Sequence, residues 1–149
     1  MKQKIVSTPP TYFLACVIGT GLLRFLVPQM NWIHFPFALF GVLFLGVGAY
    51  LVGGAYRLLT RHATPVTFAP STCIIQEGLY RRSRNPMYVG FVILQAGLSI
   101  LSGNILALLW PVLFFLVIAR MFIPYEEEKM EKSFGRDYLQ YKQKVRRWL

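Results

Sequence analysis

The stretch Tyr80-Arg81-Arg82-Ser83-Arg84-Asn85-Pro86-Met87-Tyr88 gathers residue types that bind an anion. Asn85 followed by Pro86 is a helix start: Asn suits the N-cap, and Pro suits the first helical position, where its missing N–H costs nothing. A helix beginning at Pro86 points its free N–H groups and positive dipole end at whatever lies beside Arg84, which suits a carboxylate or a phosphate. Further along, Glu126-Glu127-Glu128 follow Pro124. A helix N-terminus favours acids, and that alone accounts for the trio. Read functionally, one or two of them turn inward to meet a cationic ligand beside the arginines, and spacing does not choose between the readings. Arg81 and Arg82 are explained by a cationic collar at anionic head groups.

The elements that hold these residues are written in the charge pattern. The 149 residues are 55% hydrophobic and 15% charged, with 16 Lys and Arg against 6 Asp and Glu and a formal net charge of +10. A soluble domain carries about 25% charged residues, and a disordered basic tail lacks aliphatics and aromatics, so both classes are excluded. Nucleic-acid binding is excluded by where the charges sit. Residues 5–23, 25–56 and 85–119 contain no Lys, Arg, Asp or Glu, and uncharged apolar runs of about 18 or more residues mark membrane spans. The run 85–119 would be about 52 Å long as one helix, well beyond the ~30 Å hydrocarbon core, so it must fold back, with Ser102-Gly103-Asn104 as the turn.

The pattern predicts an all-α polytopic membrane protein with four transmembrane helices, over 12–27, 35–56, 86–101 and 105–123. Pro28, Asn31 and Pro36 mark the first reversal. Fourteen of the sixteen basic residues fall before the first span, between the second and third, or after the fourth. The positive-inside bias then places both termini, the central loop and all six acids on the cytoplasmic face. The first apolar stretch is read as a retained span, not a cleaved leader, because Pro9-Pro10 interrupts it and no small-residue cleavage site follows. The chain is expected to be one membrane domain over 1–149, with a helical pair over 1–56 and the chemistry in 57–149.

Within that frame, prolines and β-branched residues predict an extended surface run over 64–72. Pro124 should kink the chain where the fourth span ends. Met130, Phe134, Tyr138 and Tyr141 recur at helical spacing and predict an interfacial amphipathic helix. Gly46, Ala49 and Gly53 in the second span and Gly90 and Gly97 in the third predict close helix packing; Gly90 could also leave room for a flat ligand. Cys16 and Cys73 suggest no disulfide, and no metal-ligand spacing exists.

The blocks Gly78-x-Tyr80-x-x-x-Arg84-Asn85-Pro86-x-Tyr88-x-Gly90 and Glu126-Glu127-x-x-Met130-x-x-x-Phe134-Gly135-x-x-Tyr138-x-x-Tyr141, then Val145-Arg146-Arg147-Trp148, resemble the isoprenylcysteine carboxyl methyltransferases and the related phospholipid methyltransferases. The resemblance covers residues 64–149. It implies an integral membrane enzyme that binds S-adenosylmethionine at the cytoplasmic face and methylates a lipid-like or small amphiphilic acceptor. Carried over by position, the cofactor contacts fall on Ile74, Ile75, Tyr80, Arg84, Asn85, Pro86, Met87, Tyr88, Gly90 and Glu126. Asn85 stands where most members have histidine. Phe122 stands where many place a substrate-binding arginine, which leaves Arg120 as the nearest substitute.

The residue types suit that chemistry. Arg84 and the helix start suit the donor's carboxylate, Glu126 its ammonium or ribose, and Tyr80 or Tyr88 the adenosyl group. In-line methyl transfer asks mainly for alignment in a dry site. An amine or thiol acceptor also needs a base, for which Glu127 is the candidate, whereas a carboxylate needs none. Arg84 and Glu127 are thus the catalytic candidates. Membrane sterol-type reductases that use NADPH share a similar Arg-x-Pro-x-Tyr-like block, but this chain has little room for a steroid chamber and a dinucleotide. A non-enzymatic helical scaffold is the third reading. The acceptor's identity and the oligomeric state are not written in the sequence.

Overall fold

The computed structural model describes residues 8–64 and 72–149. Lys2 and Lys4 lie outside the described residues, as does the expected extended run apart from its ends, Thr64 and Thr72, whose hydroxyls hydrogen bond at 2.8 Å. The described residues form helices and no strand: α1 (Pro9–Leu26), α2 (Ala38–Arg61), α3 (Pro86–Ser102), α4 (Leu109–Val117), α5 (Ile123–Phe134) and α6 (Arg136–Lys144). Pro9-Pro10 opens α1 and Pro86 opens α3, each in the first turn where no N–H is missed. Three helices are long and apolar enough to cross a membrane: Pro9–Leu26, Ala38–Arg61 and the continuous run Ile105–Phe134. The chain is therefore an integral membrane protein. The apolar α3 has 17 residues, about 25 Å at 1.5 Å per residue.

α2 and α3 lie against each other along glycine faces: α3 uses Gly90 and Gly97 as expected, and α2 uses a different face from the expected one. A Cβ on Gly48 would come within 2.8 Å of the Leu94 backbone N and 2.9 Å of the Gly90 carbonyl, and one on Gly97 within 2.9 Å of the Gly41 carbonyl. Gly46 and Gly53, the stripe the sequence suggested for α2, meet nothing within 4 Å. At 3.6 residues per turn, position 46 points almost opposite to 48, so only the Gly41 and Gly48 face can match Gly90 and Gly97. Gly48→Val should therefore force these helices apart at the backbone, costing about 1–3 kcal/mol; thermal unfolding in detergent measures it, and Gly46→Val should have little effect.

The end of the bundle at Gly103 is tied by side-chain polar groups. Gly103, with φ 79, ends α3 in the left-handed conformation, as expected of that turn. Asn104 Nδ2 donates to the Leu23 and Val27 carbonyls at 3.0 and 2.9 Å, and its Oδ1 accepts from Leu106 N at 3.0 Å. The Arg24 guanidinium donates to the Ser102 carbonyl at the C-terminal end of α3, where a cation is favoured. Midway along the bundle, buried Gln95 reaches across to the Cys16 carbonyl and the Thr20 hydroxyl, joining α3 to α1. Cys16 and Cys73 are both free.

The fourth span does not stop at Pro124. Residues Ile118–Phe122 form a π-helical turn in which Ile123 N donates to Ile118 O, and the helix continues through Pro124 into α5. A widened turn just before a residue with no N–H lets the helix pass without a lost bond. The expected single tail helix is broken instead at Gly135, whose φ of 52 separates α5 from α6. Tyr138, Tyr141 and Val145 are then buried together, with Ile74, Met130 and Phe134 packed against them. The predicted apolar spacing is there, but its face is covered by the central loop. Phe122 sits fully buried in the core with Phe114, Ile118 and Ile123, edge-on to Tyr12 at 5.5 Å.

Candidate active site

A cavity of about 310 Å³ opens where the starts of α1 and α3 meet the central loop, α5 and α6. Its walls include Ile74, Ile75 and Tyr80 from the loop, Arg84, Asn85, Met87 and Tyr88 from the start of α3, and Glu126 and Glu127 from α5. Nine residues singled out in the sequence thus share one cavity. Pro86, the first residue of α3, is buried and is not part of the lining. Gly90 and Arg120 do not line it: Gly90 faces Gly48 and Val52 of α2, and Arg120 is exposed in the π-helical turn. The space at Gly90 is filled by a neighbouring helix.

Arg84 and Glu127 form the charged floor. Both side chains are almost wholly buried, 9% and 7% exposed, with Arg84 Nη2 at 3.3 Å from Glu127 Oε1. Glu127 also takes a two-point bond from Arg147, with Nε to Oε1 at 3.1 Å and Nη2 to Oε2 at 2.7 Å, and Lys142 stands 3.8 Å from Oε2. Such forked guanidinium–carboxylate pairs are strong and fix orientation. Arg84 Nε and Nη1, by contrast, are buried and meet no acceptor among the described residues. A buried cationic donor without an acceptor is costly, so this wall is built to receive an anion.

Glu126, one residue earlier, serves a different contact. Its Oε1 accepts from the Tyr88 hydroxyl at 2.6 Å, which bridges α5 to α3. Asn85 departs from the expected cap: its side chain makes no bond to the helix start, and Nδ2 donates instead to the Arg147 carbonyl at 3.0 Å. Arg84 N donates to the Arg146 carbonyl at 2.9 Å, so residues 83 and 146 pair as a short parallel bridge. Tyr141 donates its hydroxyl to the Tyr80 carbonyl at 2.7 Å and holds the loop over the cavity. Burial, reinforced by Glu126, raises the Tyr80 phenol; burial and then Glu127 push Tyr138 up to about 12; burial, aided by Tyr138, raises Tyr141. All three remain neutral donors at physiological pH.

The sequence placed none of Arg147, Lys142, Tyr138 and Tyr141 in the site, although Tyr138, Tyr141 and Arg147 lie inside the quoted motif and the two tyrosines line the cavity. Pro9 and Pro10 at the start of α1, with Phe91 of α3, also line the cavity and give it an apolar side. No spacing rule links residue 9 to residue 91.

Apolar helices thus enclose, at one end, a cavity in which a buried guanidinium keeps two nitrogens without acceptors among the described residues, with the carboxylates of Glu126 and Glu127 on the same lining. The profile of the family described as Phospholipid methyltransferase matches residues 37–137, and the chain belongs to that family. It is 33% identical over 115 residues to a "Probable protein-S-isoprenylcysteine O-methyltransferase" of Oryza sativa subsp. indica, covering 70% of this chain and 59% of that protein. It is 31% identical over 162 aligned positions to the "Protein-S-isoprenylcysteine O-methyltransferase" of Schizosaccharomyces pombe, covering 95% and 67%. A 63-residue match at 43% identity takes in all of an uncharacterized Haemophilus influenzae protein and 42% of this chain. The chain spans about three fifths of the length of the plant relative. No solved structure matches it.

Proposed function

We propose that the protein transfers a methyl group from S-adenosylmethionine to a lipid-like or small amphiphilic acceptor bearing a carboxylate, amine or thiol. The observation that carries this reading is Arg84, buried on the cavity wall with Nε and Nη1 unaccepted, beside Glu126. The donor set fits an amino acid joined to a nucleoside. Arg84 receives the carboxylate, Glu126 with Tyr88 faces the ammonium or the ribose, and Ile74, Ile75, Tyr80 and Met87 cover the adenosyl group. When bound, S-adenosylmethionine supplies a methyl group already activated on a sulfonium. What remains for the protein is alignment and exclusion of water, and the apolar side formed by Pro9, Pro10 and Phe91 suits an acceptor arriving from the bilayer.

Glu127 has both oxygens engaged by donors, so its part is to anchor Arg84, and the site as built serves best an acceptor that needs no base. The membrane arrangement in this reading has four crossings, with α3 as the third, α6 and its flanking cations at the interface, and the termini and cavity on the cytoplasmic side, where the cationic residues attract anionic lipid. The cavity draws on both expected parts of the chain, since Pro9 and Pro10 belong to the first helical pair.

Titration of detergent-solubilised protein with S-adenosylmethionine tests this reading. Wild type should bind. Glu126→Ala should weaken binding about tenfold, the lower end for one charged hydrogen bond, and exposed Lys132→Ala should not. A folded wild type that binds NADPH and not the sulfonium nucleoside would move the site to the reductase class.

A further inference from the structure

We infer that Arg147 is a positioning residue that sets the Arg84 guanidinium through Glu127, so that one short segment of the chain, residues 145–147, assembles the anion-receiving wall. This inference rests on the proposal that the cavity holds S-adenosylmethionine. Arg84 is held from both ends by that segment. Its backbone N–H donates to the Arg146 carbonyl, and the adjoining Asn85 side chain donates to the Arg147 carbonyl. Its guanidinium is held by Glu127, whose plane is in turn fixed by the two-point bond from Arg147.

A carboxylate gripped by a single Arg84 nitrogen could swivel about its side-chain torsions. The Arg147 fork removes that freedom and leaves Oε1 facing Arg84 Nη2. With Nη2 committed to Glu127, Arg84 Nε and Nη1 are the edge left for a ligand carboxylate. Arg147 is 42% exposed at the side chain and is absent from the cavity lining, so it acts without touching the ligand. Trp148, packed on Phe115 with ring centroids 4.8 Å apart, anchors the segment to α4 independently of the ion pairs. Substituting the Arg147 side chain therefore leaves the segment's main-chain bonds in place.

The experiment compares two probes, S-adenosylmethionine and its decarboxylated form, which keeps the sulfonium, ammonium and adenosyl groups and lacks only the carboxylate. Wild type should favour the intact form by about tenfold or more, the contribution of one charged hydrogen bond. In Arg147→Gln the affinity for the intact form should fall toward that of the decarboxylated form, whose own affinity stays as in wild type. Arg147→Lys, which keeps the charge and loses the fork, should fall between. Arg84→Ala should abolish the preference, and Arg147→Gln added to it should change nothing further. The unchanged decarboxylated probe also reports that the fold is intact. Equal weakening of both probes, an unaltered preference in Arg147→Gln, or additive losses in the double variant would each overturn the inference with the donor reading standing. A wild type that binds neither probe removes the donor reading, and this inference with it.

Discussion

Arg84→Ala should reduce S-adenosylmethionine affinity about 100-fold, or about 2.7 kcal/mol, the upper range for a charged hydrogen bond. The size follows from burial: the side chain is 9% exposed, and two of its nitrogens have no acceptor among the described residues. The fold should survive, because Glu127 keeps its two-point bond to Arg147 and the nearby Lys142. Arg84→Lys should recover only part of the affinity. A single ammonium cannot bond Glu127 and present a planar donor edge to a carboxylate as a guanidinium does. Calorimetric titration beside a thermal melt separates the two effects: unchanged affinity in a folded Arg84→Ala would mean the anion-receiving wall lies elsewhere.

Legibility in the sequence followed the range of the interaction. The helix start at Pro86 and the turn at Gly103 are local, set by dihedral and N–H rules within a few residues, and both stand where the sequence put them, whereas α1 opens at Pro9, ahead of the expected residue 12. Apolar runs without charge mark the membrane helices for the same reason. The helix–helix face was misread because a glycine stripe within one helix does not say which partner faces it. Gly41 and Gly48 share the seven-residue spacing of Gly90 and Gly97, and that matching of periods was the available signal.

The site was legible as two motifs and illegible as a network. Arg84 stood out by residue type beside a helix start, Tyr88 and Glu126 through the family resemblance, and all three share the cavity. The partner of the Asn85 side chain could not: an Asn before Pro reads as a cap, yet its amide is drawn to a carbonyl 62 positions away, a pairing created by where residues 145–147 happen to return. The same return brings Arg147, one more tail cation in the sequence, into a two-point bond with Glu127. Tertiary contacts of this kind leave no periodicity, so the tail cations were read only as a signal of orientation.

Glu127→Ala separates the base expected from the sequence from the anchor proposed on its contacts with Arg84 and Arg147. A base that only moves a proton could be removed with fold and ligand binding intact and turnover lost. An anchor cannot, because Ala at 127 strands the buried Arg84 cation without its counter-ion, a change that costs about 3–5 kcal/mol. Exposed Arg147 can turn to water, so most of the loss falls on Arg84. The variant should melt well below wild type and bind S-adenosylmethionine poorly. Glu127→Gln keeps the shape and one acceptor and should lie between. Removing both charges, as Arg84→Ala with Glu127→Ala, leaves no stranded cation, so the double variant should be more stable than Glu127→Ala alone. A Glu127→Ala protein with wild-type stability and affinity but no turnover would return the residue to the role of base.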